Sequence, residues 1–208
     1  LTLGSSVTTI GDSAFAGTAL KSLVIPDSVT IIGSSAFQDA TGLTSLVIPD
    51  SVTSIGNDAF HGATALTSVT LGSAVETIGR EAFYNTALTS VTIPDSVTRI
   101  GELAFAKVPI KTLVVGKGLA DQSSVGGGAF YGVCPTLESV SINSPNALGR
   151  GSQSKVFLPW LSYGTVSNNY SVYDNYNNRR GDYIYEGLHF TQGSLFSCLL
   201  YTSDAADE

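Results

Sequence analysis

The chain has no methionine, one tryptophan, two histidines and two cysteines in 208 residues. Each scarcity removes a class of chemistry. Without a His-x-x-x-His pair or a CxxC pair, no sequence pattern for zinc ligation is present, and no G-x-S-x-G elbow supports a nucleophile. No metal or cofactor and no catalytic residue is therefore expected. Charged residues make up 13% of the chain, about half the usual share. The basic residues are scattered, with Arg179 and Arg180 the only adjacent pair, and the formal charge is −7. A nucleic-acid partner needs clustered cations and is excluded on that ground. No apolar run approaches the roughly 20 residues that span a bilayer. Methionine is missing even at position 1 and the chain opens partway through a pattern, so it reads as a fragment that leaves any leader or anchor undecided.

What is present is repetition. Leu20-Lys-Ser-Leu23-Val-Ile25-Pro26 returns as Leu43-Thr-Ser-Leu46-Val-Ile48-Pro49, as Leu66-Thr-Ser-Val69-Thr-Leu71 and as Leu88-Thr-Ser-Val91-Thr-Ile93-Pro94. Drifted copies follow at Ile110-Lys-Thr-Leu113-Val-Val115 and Leu137-Glu-Ser-Val140-Ser-Ile142. Leu3, Ile25, Ile48, Leu71, Ile93, Val115 and Ile142 advance by 22, 23, 23, 22, 22 and 27 residues. A second block runs Val7, Val29, Val52, Val75, Val97, each followed three residues on by Ile-Gly, from Ile10-Gly11 to Ile100-Gly101. Three residues later stands Ala-Phe, ending in Phe15, Phe37, Phe60, Phe83, Phe105 and Phe130.

Each column has a physical reading. In Leu-x-x-Leu-x-Ile the last two apolar residues are two apart and share one face of a short strand. Strands are predicted at residues 22–25, 45–48, 68–71, 90–93, 112–115 and 139–142, paired in one parallel sheet. Pro-Asp-Ser ends each strand, because Pro cannot donate to a ladder and Asp and Ser favour turns. Asp27, Asp50 and Asp95 are accordingly turn residues. The glycine after Ile is expected to supply a backbone conformation that a side chain forbids. The polar residues before Ala-Phe suit the first turn of a short helix or 3₁₀ segment. Phe then fills the space between coils, and Phe15, Phe37, Phe60, Phe83 and Phe105 should form a buried column. A single unit cannot bury this set, whereas stacked units share a continuous core. The fold class is a β-rich solenoid of about six units, with turns and short helical or 3₁₀ segments.

These columns resemble the BspA-type leucine-rich repeat family, whose unit reads roughly LxxLxIPxxVtxIGxxAFxxC. The resemblance covers residues 1–142. One departure is that the family's Cys after Phe is replaced by nearby Thr18, Thr41, Thr64 and Thr86, with Cys134 alone retained. The resemblance implies a surface-exposed or secreted interaction module, an extracellular location and no catalysis of its own.

Three domains follow: the solenoid at 1–142, an irregular Tyr/Asn/Gly-rich stretch at 143–197 and a terminal piece at 198–208. The middle stretch is a cap, a linker or the start of another domain. The final residues, Cys198 to Glu208, resemble a translated transposase adapter used in preparing DNA for sequencing. On that reading, removing Asp204, Asp207 and Glu208 brings the charge from −7 to −4. It also leaves Cys134 without a cysteine partner, so no disulfide is inferred. The stretched sixth unit, with Ser123-Ser-Val-Gly-Gly-Gly128, lacks the Gly-Lys-Ser/Thr of a phosphate loop and reads as an insertion.

Binding is better provisioned than catalysis. The outward strand positions make two ladders, Ser22/Ser45/Ser68/Ser90/Thr112/Ser139 and Val24/Val47/Thr70/Thr92/Val114/Ser141. Ser45, Val47, Ser68, Thr70, Ser90 and Thr92 are the central candidates for a macromolecular partner, protein or glycan. Residues of these types also simply suit a strand, and the ladders lack the Trp, Tyr and Arg that usually anchor interfaces. His61 and Tyr84 share a column in adjacent units, with Gln38 and Tyr131 further along, and form a second patch. Arg180-Gly181-Asp182 is an integrin-type attachment tripeptide, and Asn169-Tyr-Ser171 is an N-glycosylation acceptor pattern in a secreted eukaryotic chain. Two rival classes stay open: a docking arm for a catalytic domain beyond the chain, and a purely structural or ice-binding ladder, which Val24, Val47 and Val114 interrupt.

Overall fold

The computed structural model describes residues 1–119, 124–133, 136–142 and 188–191. Within them run strands β1 (Thr9–Ile10), β2 (Ile31–Ile32), β3 (Ser45–Val47), β4 (Ser54–Ile55), β5 (Ser68–Thr70), β6 (Thr77–Ile78), β7 (Ser90–Ile93), β8 (Arg99–Ile100), β9 (Thr112–Val115), β10 (Ser139–Ile142) and β11 (Leu188–Thr191). They are wound as a parallel β-solenoid in which each coil carries three hydrogen-bonded walls.

The Leu-x-x-Leu-x-Ile columns build the first wall. β3 pairs with β5, and β7, β9 and β10 pair in succession, all parallel, with Ser45 opposite Ser68 and Ser90 opposite Thr112 opposite Ser139. The alternation that defines a strand is visible in β7, where Val91 and Ile93 are buried and Ser90 and Thr92 exposed. Of the six predicted strands, three coincide with β7, β9 and β10, and two are one residue shorter. The first, at 22–25, is reduced to a bridge between Thr2 and Val24.

A second wall was not expected. β1, β2, β4, β6 and β8 form a parallel sheet from the Val-x-x-Ile-Gly block, with Thr9 opposite Ile31 and Ile78 opposite Ile100. Val125 bridges to Ile100 and extends this wall to the sixth unit, so Val125-Gly126 is the drifted Ile-Gly pair. Two-residue strands are too short to show a period of two, which is why the pattern did not announce them. The glycine after Ile also has a different reason from the one expected. Among the described glycines, positive φ is confined to Gly17, Gly62, Gly128 and Gly132. At Gly56 an added Cβ would lie 2.6 Å from the carbonyl carbon of Gly33, and at Gly79 one would lie 2.5 Å from that of Gly56. Close approach of successive coils, not backbone conformation, demands glycine there.

The Ala-Phe segments form the third wall, and here the helical expectation fails. No α-helix occurs among the described residues. Two positions per unit sit in the left-handed region: Ser35, Asp58, Glu81 and Leu103 in one column, and Asp39, Asn85 and Lys107 in the other, with φ between 52° and 58°. The left-handed turns aim the alternate N–H groups toward the following coil. Ser35, Phe37 and Asp39 donate to the carbonyls of Asn57, Ala59 and His61 at 2.8, 2.7 and 2.7 Å. Asp58, Phe60 and Gly62 repeat the pattern onto Arg80, Ala82 and Tyr84. A helix would have turned those donors back on its own coil.

Between the walls lies one core. Phe37, Phe60, Phe83, Phe105 and Phe130 are fully buried, and Phe15 at the open end is half-buried. Ring centroids are spaced 5.1–5.4 Å with planes within 9° of parallel. Each buried ring contributes about 1.5–3 kcal/mol of transfer free energy. Between coils, Ser28, Ser51 and Ser96 donate their hydroxyls to the carbonyls of Val7, Val29 and Val75 at 2.6–2.7 Å. Asp50 and Asp95 accept from the N–H of Ser73 and Lys117 at 2.6 and 2.9 Å. The repeated Asp-Ser is thus an inter-coil staple as well as a turn. At the far end β11 adds antiparallel to β10, with Leu188 opposite Ile142. The remainder of 143–197, the Arg180-Gly181-Asp182 tripeptide, Asn169, Cys134 and the adapter-like 198–208 lie outside the described residues.

Candidate functional site

The first wall presents the larger candidate. Ser45, Val47, Ser68, Thr70, Ser90 and Thr92 are all exposed, and the strand register sets Ser45 opposite Ser68 and Val47 opposite Thr70. Val24 and Val47 expose 58% and 64% of their surface, the apolar end of an otherwise hydroxyl-lined strip. Toward β10 the strip becomes half-buried at Thr112, Val114, Ser139 and Ser141, where the Ser139 hydroxyl donates to that of Thr112 at 3.3 Å. Neither column contains a charged residue. The surface can offer β-branched methyls and hydroxyl donors and acceptors at the inter-strand spacing of about 4.8 Å, and it offers no acid–base pair.

The third wall presents a smaller and more polar cluster. His61 follows Phe60, and its ring stacks on Tyr84 at a centroid distance of 4.8 Å and an angle of 22°. Lys107 holds its Nζ 5.2 Å from the Tyr84 ring centre, a cation–π contact. Hydrogen bonding to the Tyr84 side chain holds the Lys107 ammonium above its ordinary pKa. His61, Tyr84 and the neighbouring Gln38 and Tyr131 are all half-buried. The column shared by His61 and Tyr84 is a ring contact in the structure, and two carboxylates that were not among the sequence candidates stand beside it. His61 Nδ1 lies 3.4 Å from Asp58 Oδ1 and 3.2 Å from Glu81 Oε2. Arg80 pairs with the other oxygen of Glu81 and stands 3.9 Å from Glu102. A signal did exist: Asp58 and Glu81 occupy the same column one repeat apart, three residues before His61 and Tyr84.

The two candidate patches therefore stand on different walls, one neutral and extended, the other charged and compact. No helix among the described residues is long and apolar enough to cross a membrane.

Coils of near-constant length, three stacked ladders and a shared apolar column define a leucine-rich-repeat solenoid. The chain belongs to the BspA type leucine-rich repeat family, whose repeat region matches in six copies over residues 1–111 and 30–152. Among solved structures it is similar to a leucine-rich repeat protein from Bacteroides ovatus ATCC 8483, with 27% identity, a TM-score of 0.54 and coverage of 70% of this chain and 43% of that one. The pneumococcal vaccine antigen PcpA shares the fold at 22% identity and a TM-score of 0.50, over 69% of this chain and 50% of that one. A leucine-rich cell surface protein from Faecalibacterium prausnitzii A2-165 matches at 28% identity and a TM-score of 0.49, over 69% and 47% of the two chains. The chain thus spans half or less of the length of these structures. Among curated proteins none matches it.

Proposed function

We propose that this chain is a binding module of a secreted or cell-surface protein, and that it holds a protein or glycan partner against the outward face of β3, β5, β7 and β9. The observation that carries the reading is the strip itself. Ser45, Ser68, Ser90 and Val47, Thr70, Thr92 form exposed, uncharged rows on successive strands, with β3 and β5, and β7 and β9, held in parallel register. A regular surface of this kind suits an extended macromolecule, while a solenoid wall supplies no closed cavity from which water is excluded. The surface placement comes from what membership of the family implies. Because the strip lacks large aromatic or arginine anchors, binding is spread over several rungs rather than concentrated in one pocket. The same inventory supports a non-enzymatic role for the chain.

The test is to replace Ser68 and Ser90 by Glu and Thr70 and Thr92 by Lys, and to screen both proteins against extracellular proteins and glycans. Exposed sites of this kind change stability by about 0.5 kcal/mol or less each, so the variant should fold and lose at least tenfold in affinity, roughly 1.4 kcal/mol. Binding that survives unchanged would move recognition to the His61/Tyr84 wall. Reproducible turnover of a small molecule by the purified chain would overturn the non-enzymatic reading.

A further inference from the structure

From the third wall we infer that Asp58, His61 and Glu81 form a binding site for a single divalent transition-metal ion of the Zn²⁺ class. The three donor atoms all lie within 4.8 Å of one another. They come from two successive coils: Asp58 and His61 flank Phe60, and Glu81 stands one repeat on, in the column of Asp58. Both acidic residues hold left-handed backbone, with φ of 56° and 52°, on a wall whose ladder keeps the two coils in fixed register.

The distances suit a metal-bridged arrangement and are long for a strong hydrogen bond. Nδ1 sits 3.4 and 3.2 Å from the two carboxylate oxygens, beyond the 2.7–2.9 Å or so of a charge-assisted hydrogen bond. With metal–ligand bonds of about 2.0–2.1 Å, the donor–donor edge of a tetrahedral site is about 3.3–3.4 Å. Both observed edges agree with that value, and the donor atoms are all within 4.8 Å of one another.

A second observation concerns the histidine itself. Nδ1 of His61 is fully buried and has no hydrogen-bond partner, although the ring as a whole is 27% exposed. Buried polar nitrogens are seldom left unmatched. This one faces two carboxylates, and it is the atom a metal would take in the neutral imidazole. Stacking on Tyr84 at 4.8 Å holds the ring in that orientation. The local charge also favours a cation, because Asp58 and Glu81 are like charges in adjacent coils and Arg80 pairs with only one of them. Imidazole with two carboxylates suits Zn²⁺ better than the all-oxygen shells of Mg²⁺ or Ca²⁺. Three protein ligands leave a fourth position for water or for a carboxylate of a partner.

The experiment uses the full chain, with its cysteines alkylated, titrated with ZnCl₂ by calorimetry and followed by thermal melting. The expected result is one Zn²⁺ per chain, a rise in Tm, and movement of the His61 ring resonances while those of His189 stay in place. His61→Gln carries the residue that the preceding unit has in this column, Gln38, so its circular dichroism should match that of the parent chain. It should bind Zn²⁺ at least about tenfold more weakly, since even loss of an outer-shell partner costs that much. Glu81→Gln should do the same. Absence of saturable binding by the parent chain, or equal affinity in His61→Gln, would overturn the proposal. An effect of Mg²⁺ equal to that of Zn²⁺ would overturn the metal class.

Discussion

The first and third walls stack the same coils by different means. In the first, extended strands alternate buried Val91 and Ile93 with exposed Ser90 and Thr92, and parallel ladders bind neighbouring coils. In the third, Ser35, Asp58, Glu81 and Leu103 adopt positive φ so that alternate N–H groups point along the solenoid. The first wall follows from side-chain pattern. The third depends on a backbone conformation that non-glycine residues adopt at a cost of about 1–2 kcal/mol each. That cost is sustained because Phe37, Phe60, Phe83, Phe105 and Phe130 beneath it are fully buried and because each turn is hydrogen-bonded to the next. A regular wall leaves its outward side chains free to vary, whereas a strained wall brings charged residues such as Asp58 and Glu81 close together.

The largest effect should come from the column that supports the third wall. Phe60→Ala removes a ring stacked at 5.1 Å on both Phe37 and Phe83, and should lower stability by roughly 3–5 kcal/mol in a denaturant titration. A loss under about 1 kcal/mol would mean that the third wall does not rest on the ring column. Next is the second wall. Gly79→Ala would place its Cβ 2.5 Å from the Gly56 carbonyl carbon and should cost about 1–3 kcal/mol by overpacking, while the same change at the uncrowded Gly11 should cost far less.

A sharper comparison uses one substitution on both walls. Ser35→Gly relieves a left-handed serine with φ of 54°, so the gain offsets the added flexibility of the unfolded chain. Ser45→Gly sits in extended strand β3 and should lose roughly 0.5–1 kcal/mol. Melting temperatures that fall equally in both variants would remove the distinction between the walls. The smallest effect concerns the staple. The Ser73 backbone N–H, helped by the Ser73 hydroxyl, holds Asp50 below its ordinary carboxylate pKa of 3.8. A depressed folded-state value gives stability that is present above about 3.8 and is lost as pH falls through the lower folded value. Asp50→Asn should therefore show a shallower decline of Tm on the acid limb, and matching acid limbs would count against the staple.

Much of this was legible in the residues. The strands of the first wall and the Phe column were readable because apolar spacing of two and a repeat of 22–23 residues are both explicit in the sequence. The second wall was hidden because Thr9–Ile10 and its partners are too short to alternate. The left-handed turns were hidden because Leu103 and Lys107 give no hint of positive φ. On residue type alone the polar residues before Ala-Phe favoured a helix start. The cluster at His61 needed Asp58 and Glu81 to be read across units rather than along the chain.

The central functional claim is that recognition belongs to the regular wall. A methyl and aromatic NMR titration of the chain with a partner recovered from the screen compares the two walls in one sample. The account predicts that the methyl signals of Val47, Thr70 and Thr92 shift in proportion to occupancy while the ring signals of His61 and Tyr84 stay unchanged. Shifts confined to His61 and Tyr84, with the strand-face methyls unmoved, would contradict it.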